Sequence, residues 1–180
     1  MIRLETDRLL LMSLDDGDAA FILELLNDPD FIANIADKHV RTEQDAITFI
    51  QSGSWVQHSP PGYGQFKVVE KKSQASIGVC GILYREAFDL SDVGFAFLPE
   101  YRRKGYALES AKRVVRYAHE TLSLDRIVGL TSPENHASIQ ILKKLGMSLE
   151  KTIKMSDMDP GTLVFGMNCE PERSPRFPEK

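Results

Sequence analysis

Two patterns in the chain predict an α/β (α+β) fold built on one mixed sheet covered by helices. From Gln65 to Leu98 the apolar residues fall into short β-rich runs separated by turn residues, and after that strand-like and helix-like segments alternate. The order strand, helix, strand, helix puts helices against a sheet rather than in a separate bundle. A length of 180 residues suits a single hydrophobic core. We therefore expect one domain over residues 1–169, followed by the polar tail "EPERSPRFPEK", residues 170–180, as a loose end.

Leu9 to Met12 reads as the first strand. "DDGDAAFILELLNDP" reads as a helix, with Asp residues at its start and Pro29 after its apolar stripe. A second helix begins near Thr42, where Glu43 and Asp45 favour the positive end of its dipole, and "SWVQHSPPGYG" is then a loop. "QFKVVE" and "SIGVCGILY" around "KKSQ" predict an antiparallel hairpin, and "DVGFAFL" a further strand. Leu108, Ala111, Val114, Val115 and Ala118 recur at helical spacing between Ala107 and His119, so that helix should lay one face on the sheet. "RIVGLT" is a short strand, and "NHASIQILKKLG" a helix with a polar cap at Asn135 and a stop at Gly146. "LEKTIKM" and "GTLVFGM" are two closing strands joined around Asp159, Pro160 and Gly161.

Composition excludes several classes of function. A hydrophobic content of 42% with 27% charged residues argues against wholesale disorder, and no apolar run approaches the roughly 20 residues needed to span a bilayer. The N-terminus "MIRLETDRLLLMSL" mixes acidic and apolar residues without a small-residue cleavage site, unlike a signal peptide, so a cytoplasmic location is expected. Cys80 and Cys169 lie far apart with no CxxC or Cys/His spacing, which leaves no zinc motif, no metal ligand set and no disulfide framework. The net charge of −4 gives no global case for a nucleic acid partner, so any anion site must be local.

One local candidate stands out. In "GFAFLPEYRRKGYALES" a strand ends, a basic loop turns and a helix begins. The first turn of a helix carries unpaired backbone N–H groups and the positive end of the dipole, and Gly105 lets the chain approach a phosphate with no Cβ in the way. Arg102, Arg103 and Lys104 add charge around it. The alternative is a solvated charge run at a sheet edge. Neither a GxxxxGK[ST] loop nor a GxGxxG loop occurs.

The hexapeptide "RRKGYA", residues 102–107, matches the Q/R-x-x-G-x-G/A pyrophosphate loop, and with it the chain resembles the GNAT superfamily of N-acetyltransferases. "DVGFAFLPEYRRKGYALES" is similar to that family's strand, loop and helix, and "SPENHASIQILKKLGM" to its second cofactor motif, with Met147 where Phe is usual. The opening "LETDRLLLMSLDDGDAAFILELLNDP" resembles the Rim-type ribosomal-protein N-terminal acetyltransferases, so the likeness covers residues 2 to 168. It implies a GNAT-like, mostly antiparallel central sheet of about six or seven strands with helices on both faces.

The resemblance further implies acetyl-CoA as cosubstrate and a primary amine as acceptor, a protein N-terminal α-amine or else a small-molecule amine such as a polyamine, aminoglycoside or amino acid; no metal, nucleic acid or membrane partner is expected, in a monomer or homodimer. The strand before the loop would carry a bulge and splay, offering backbone groups of Phe97 and Leu98 to the pantetheine arm. Arg103, Lys104, Gly105, Tyr106 and Ala107 would offer N–H groups to the pyrophosphate, with Arg102 at the Q/R position. Asn135 serves as an N-cap or a pantetheine contact. Many relatives protonate the departing sulfur with a Tyr at the position of Leu142, whereas the Rim-type branch has a Ser matching Ser138, which we take as the hydroxyl near the thiolate. Asp92 is the candidate general base or else a solvated strand-start residue; Glu150 is its rival, and His119 and His136 read as surface or capping residues. Trp55, Tyr63 and the Pro60–Pro61 pair line an acceptor pocket or simply pack. A non-catalytic acyl-CoA-binding module and an ATP-binding protein using the same loop are the competing functions.

Overall fold

The computed structural model describes residues 2–52, 55, 62–155 and 160–169. Its strands are β1 (Arg3–Glu5), β2 (Leu9–Ser13), β3 (Gly64–Glu70), β4 (Ser76–Arg85), β5 (Leu90–Phe97), β6 (Arg126–Thr131), β7 (Ser148–Ile153) and β8 (Thr162–Asn168). Its helices are α1 (Ala19–Asn27), α2 (Pro29–Asn34), α3 (Glu43–Gln51), α4 (Tyr106–Glu120) and α5 (His136–Lys144). Among the described residues the strands form one eight-stranded sheet in the order β1-β2-β3-β4-β5-β6-β8-β7. The β5–β6 pair is parallel and the other pairs are antiparallel.

Period-two alternation divides the sheet into two apolar faces, each with its own helical cover. On one face Phe66, Val68, Cys80, Ile82, Val93 and Phe97 pack with Ala111, Val114, Tyr117 and Ala118 of α4 and Leu142 of α5. On the other, Val79, Ala96 and Leu98 meet Ile22, Leu25 and Leu26 of α1, Phe31 of α2 and Ala46 and Ile50 of α3. Burying one such Val or Leu side chain contributes about 2 kcal/mol, so α4, whose apolar stripe was legible at its spacing, is firmly seated. Among the described residues no helix is long and apolar enough to cross a membrane.

The structure adds an eighth strand, β1, to the six or seven expected. It is three residues long and pairs with β2 from Arg3↔Met12 to Glu5↔Leu10, too short for an alternation pattern to reveal. The single helix expected from Asp15 to Pro29 is three elements: a 3-10 turn at Asp16–Asp18, α1 and α2. Pro29 opens α2 rather than merely closing α1, because Asp28 caps the new helix by accepting the N–H of Phe31 at 3.0 Å and Pro has no N–H to lose at a first helical position. The predicted start of α3 holds: Thr42 and Asp45 form a reciprocal capping box.

The bulge expected in the strand before the basic loop is absent. The β4–β5 register runs without a break from Gly78↔Phe97 to Arg85↔Leu90. Register shifts occur instead between Val68 and Val69 of β3 and between Leu149 and Lys151 of β7. The splay nevertheless exists, since β5 and β6 share one pair, Asp92↔Val128. β5 is held along its length by β4 and β6 by β8, from Arg126↔Asn168 to Thr131↔Leu163, and the twist of two well-bonded ladders carries the strands apart.

Candidate active site

Because β5 and β6 are parallel, their C-terminal ends lie at the same end of the sheet, β5 leading to the basic loop and α4, β6 to the Asn135 cap and α5. Among the described residues the facing edges of β5 and β6 have no strand partner past their one pair, which leaves a cleft between them. Leu98 donates its N–H to Ile77 O at 3.0 Å, and its carbonyl accepts from Tyr101 at 3.0 Å. Alternation along an antiparallel ladder then turns the main-chain groups of Phe97 and Phe95 away from β4 and into the cleft. Of the two residues expected there, Phe97 faces the opening, with its carbonyl accepting Arg102 Nε, and Leu98 is engaged elsewhere. Phe95, which that parity identifies, is the residue that sequence reasoning missed.

The loop is shaped for close approach. Gly105 caps α4 at φ +83° and Arg103 also has positive φ, at +58°, so the backbone reverses twice within three residues. The first helical N–H to find a carbonyl in that turn is Glu109, bonded to Gly105 O at 3.0 Å. The N–H groups of Tyr106 and Ala107 therefore lie ahead of the helical ladder, at the positive end of α4. Arg103, Lys104 and Gly105 are exposed, and Lys104 Nζ lies 5.3 Å from the ring of Tyr101.

Two side chains of this stretch are directed inward. Arg102 donates Nε to Phe97 O at 2.8 Å and Nη1 to Asp30 at 2.5 Å, and its Nη2 pairs with buried Asp28, so this guanidinium ties the loop to the cap of α2. Tyr106 is buried, its hydroxyl donating to Glu70, an interaction that raises the tyrosine pKa. Arg8, unmarked in the sequence, braces the other side. It stacks 4.5 Å from the Tyr106 ring, pairs with Glu109 at 2.6 Å and donates to Lys104 O at 3.1 Å.

At the second motif Asn135 is an N-cap: its Oδ1 accepts Ser138 N–H at 3.0 Å. Ser138 is half-buried in the first turn of α5. Leu142, at the position where many relatives have Tyr, is 1% exposed and packs so closely on Gly129 that a Cβ there would collide with it. That side chain belongs to the core, as does Met147.

Asp92 is not a solvated strand-start residue. It is 3% exposed, at the closed end of the splay, and receives Arg85 Nε at 2.5 Å. Burial pushes its carboxyl above the usual range, against the charge and hydrogen bond of Arg85, which pull it back. Glu150 lies on the same side of the sheet, over Gly166, which pairs with Val128, the β6 partner of Asp92. It is locked to Arg126, whose Nη1 donates at 2.8 Å, and that bond holds its carboxyl below the ordinary value. Burial thus raises the Asp92 carboxyl, whereas the Arg126 pair lowers that of Glu150.

The remaining candidates have structural partners. Trp55 packs 6.0 Å from Phe31 and 5.2 Å from Phe49, and Tyr63 bonds Ser91 at 3.0 Å on the α4 side. His119 is half-buried with Leu124 O at 3.4 Å, and His136 is exposed. Pro60, Pro61, Asp159 and the tail lie outside the described residues.

A family model for the Acetyltransferase (GNAT) domain matches residues 8–148. The chain is 29% identical over 160 residues to the uncharacterized protein YkkB of Bacillus subtilis, covering 84% of this chain and 88% of the relative. It is 28% identical over 155 residues to the uncharacterized N-acetyltransferase YnaD of the same organism, covering 85% and 86%. Its fold superposes with a TM-score of 0.78 on RimL, a ribosomal alpha-N-protein acetyltransferase solved in complex with coenzyme A, at 13% identity, covering 93% of this chain and 98% of that one. The family match spans the splayed strands, the turn at Gly105 and α5 together, so this chain belongs to the GNAT acetyltransferase family and is an acyltransferase.

Proposed function

We propose that the protein transfers an acetyl group from acetyl-CoA to a primary amine by direct attack in a ternary complex. The observation that carries this reading is the cleft itself: an unpaired β5 edge opening onto a helix N-terminus reached through positive φ at Arg103 and Gly105. These residues fit an extended thioester ending in a pyrophosphate. Main-chain groups of Phe95 and the N–H of Phe97, whose carbonyl is held by Arg102, would bind the arm, and the N–H groups of Arg103 to Ala107 the phosphates. Arg102 acts by placing that turn, and Arg103 and Lys104 are the cations left to meet the anion.

In the reaction an N–C bond forms, the C–S bond breaks with its electron pair going to sulfur, and one amine proton is lost. Asp92, its basicity raised by burial, accepts that proton directly or through a water. Ser138 donates a hydrogen bond to the leaving thiolate, a role within the reach of a hydroxyl that is too weak an acid to give up its proton outright. The acceptor is a protein N-terminal α-amine, in keeping with the Rim-type opening and the shared RimL fold. With a pKa near ~8, against ~10.4 for a Lys side chain, it presents more neutral nucleophile at physiological pH. The setting is the cytoplasm.

Incubation with acetyl-CoA and a panel of N-terminal peptides, polyamines, aminoglycosides and amino acids, with free thiol as the readout, tests the reading; absence of turnover across the panel would sink it. Core burial of Leu142 at the Tyr position favours one second reading, a non-catalytic acyl-CoA-binding module. Tight acetyl-CoA binding with activity indifferent to Ser138→Ala would support that rival.

A further inference from the structure

Among the described residues, Oε1 of Gln65 is one of three buried side-chain polar atoms with no hydrogen-bond partner. An orphaned amide oxygen in a desolvated place is unfavourable, and native proteins seldom keep one without use. Gln65 is 5% exposed, and its placement follows from the strands. It pairs with Gly81 of β4, which pairs with Gly94 of β5, so the three residues form a row on the face carrying Asp92. A Cβ at Gly81 would collide with Gly64 O and lie 2.7 Å from Gln65 Cα, so the start of β3 lies down across β4. The Gln65 side chain therefore reaches β5, where its Nε2 lies 2.7 Å from where a Gly94 Cβ would stand. The backbone is held from the other side by its N–H, bonded to Trp55 O at 2.7 Å. Two glycines thus open a path that carries an unpartnered carbonyl oxygen to the strand bordering the cleft, two residues beyond Asp92.

We propose that Gln65 binds the acceptor: its Oε1 accepts a hydrogen bond from the attacking amine and makes the enzyme selective for primary amines. This inference rests on the acetyl-transfer reading above. An attacking nitrogen points its lone pair at the thioester carbon. A primary amine then has two N–H bonds left, one directed to Asp92, directly or through water, and one to Gln65. As the N–C bond forms the nitrogen becomes cationic and both hydrogen bonds strengthen, so the contact favours the transition state over the ground state. An N-methylated amine has one N–H and must either forgo the contact to Asp92 or leave Gln65 unpaired in a buried site, the kind of mismatch against which enzymes discriminate strongly.

The test compares a primary amine with its N-methyl counterpart on the wild-type protein, Gln65→Met and Gly94→Ala, the last displacing the amide by putting a methyl group 2.7 Å from its Nε2. For Gln65→Met, kcat/KM for the primary amine should fall about ten- to a hundredfold, the usual effect of losing a hydrogen bond to a buried polar partner. The primary-over-N-methyl preference should collapse, with acetyl-CoA affinity kept and melting temperature unchanged or raised, since an orphan polar atom has been removed. Gly94→Ala should reduce the preference in the same direction. If Gln65→Met turns over both amines as the wild type does, or loses activity and acetyl-CoA affinity together, the proposal is overturned. If the wild type acetylates no amine, the acetyl-transfer reading falls and this one with it; wild-type turnover indifferent to Gln65→Met removes this one alone.

Discussion

Replacing Arg102 by Ala tests whether its guanidinium anchors the turn at Arg103 to Gly105, the proposed phosphate site, rather than touching an anion itself. In the native protein Arg102 satisfies Asp28, whose side chain is 7% exposed, Asp30, 72% exposed, and the carbonyl of Phe97 at 2.8 Å. Losing the Asp30 contact costs little, because an exposed pair is worth about 0–1 kcal/mol. Asp28 is different: its carboxylate stays buried with the N–H of Phe31 as its remaining partner. Orphaning a fully buried charge costs about 3–5 kcal/mol, and the 30% exposure of the Arg102 side chain moves this site to the lower end. With the lost Phe97 bond included, about 3 kcal/mol is expected, which for a chain of this size lowers the melting temperature by about 6–12 °C. Thermal unfolding of Arg102→Ala, Asp28→Asn and the double variant measures this directly. The two changes should fall short of additivity by about 1–2 kcal/mol, since they remove one shared interaction. Acetyl-CoA affinity should fall as the turn loosens. A melting temperature within about 2 °C of wild type, or strict additivity, would show that Arg102 is not the anchor.

Three further outcomes follow from the site. Ser138→Ala should lower kcat about tenfold or more with little change in the KM for acetyl-CoA, and leave stability within about 0.5 kcal/mol. Asn135→Ala, by losing the cap on Ser138 N–H, should cost about 1 kcal/mol in thermal unfolding. Because burial raises the Asp92 pKa and Arg85 opposes it, Arg85→Met should raise it further, moving the acid limb of the kcat/KM profile to higher pH. A limb that stays put or moves down removes Asp92 as the titrating base. The same raised pKa makes the stability contribution of Asp92 full below its unfolded-state value and lost as pH rises through the folded one, so the destabilisation of Arg85→Met relative to wild type should be larger at neutral pH than in acid. Finally, burial pushes the Cys80 thiol up to about 12, and burial with the Asp125 charge raises that of Cys169. Neither should react with an aromatic disulfide reagent until the protein is unfolded, which a thiol count before and after denaturation will check.

What could be read from the chain is what depends on neighbours in sequence. The apolar spacing of α4, the Thr42 and Asn135 caps and the strand-loop-helix order around Gly105 are set within a few residues, where propensity and the helix dipole act, and the structure reproduces them. Where two local rules competed, reading from sequence faltered: Pro29 is both a helix stop and a good first helical residue, and the capping bond of Asp28 settled it as the latter. The candidate site splits along the same line. Gly105 and the free amides of α4 belong to the local turn. The carboxylate partners of Arg102 lie 72 and 74 residues away, and Arg8 meets Glu109 across 101. Asp92 acquired its burial and its arginine from a neighbouring strand, and the Gln65 oxygen reached β5 because glycines in two other strands left room. The sequence by itself determined the strand-loop-helix turn at Gly105 and the helices that flank it. Only the tertiary structure decided that Arg102 is tied to Asp28 and Asp30 while Arg103 and Lys104 stay exposed, that Asp92 is buried beside Arg85 and that the Gln65 oxygen has no partner, because burial and charge neighbours come from packing strands and helices distant in the chain.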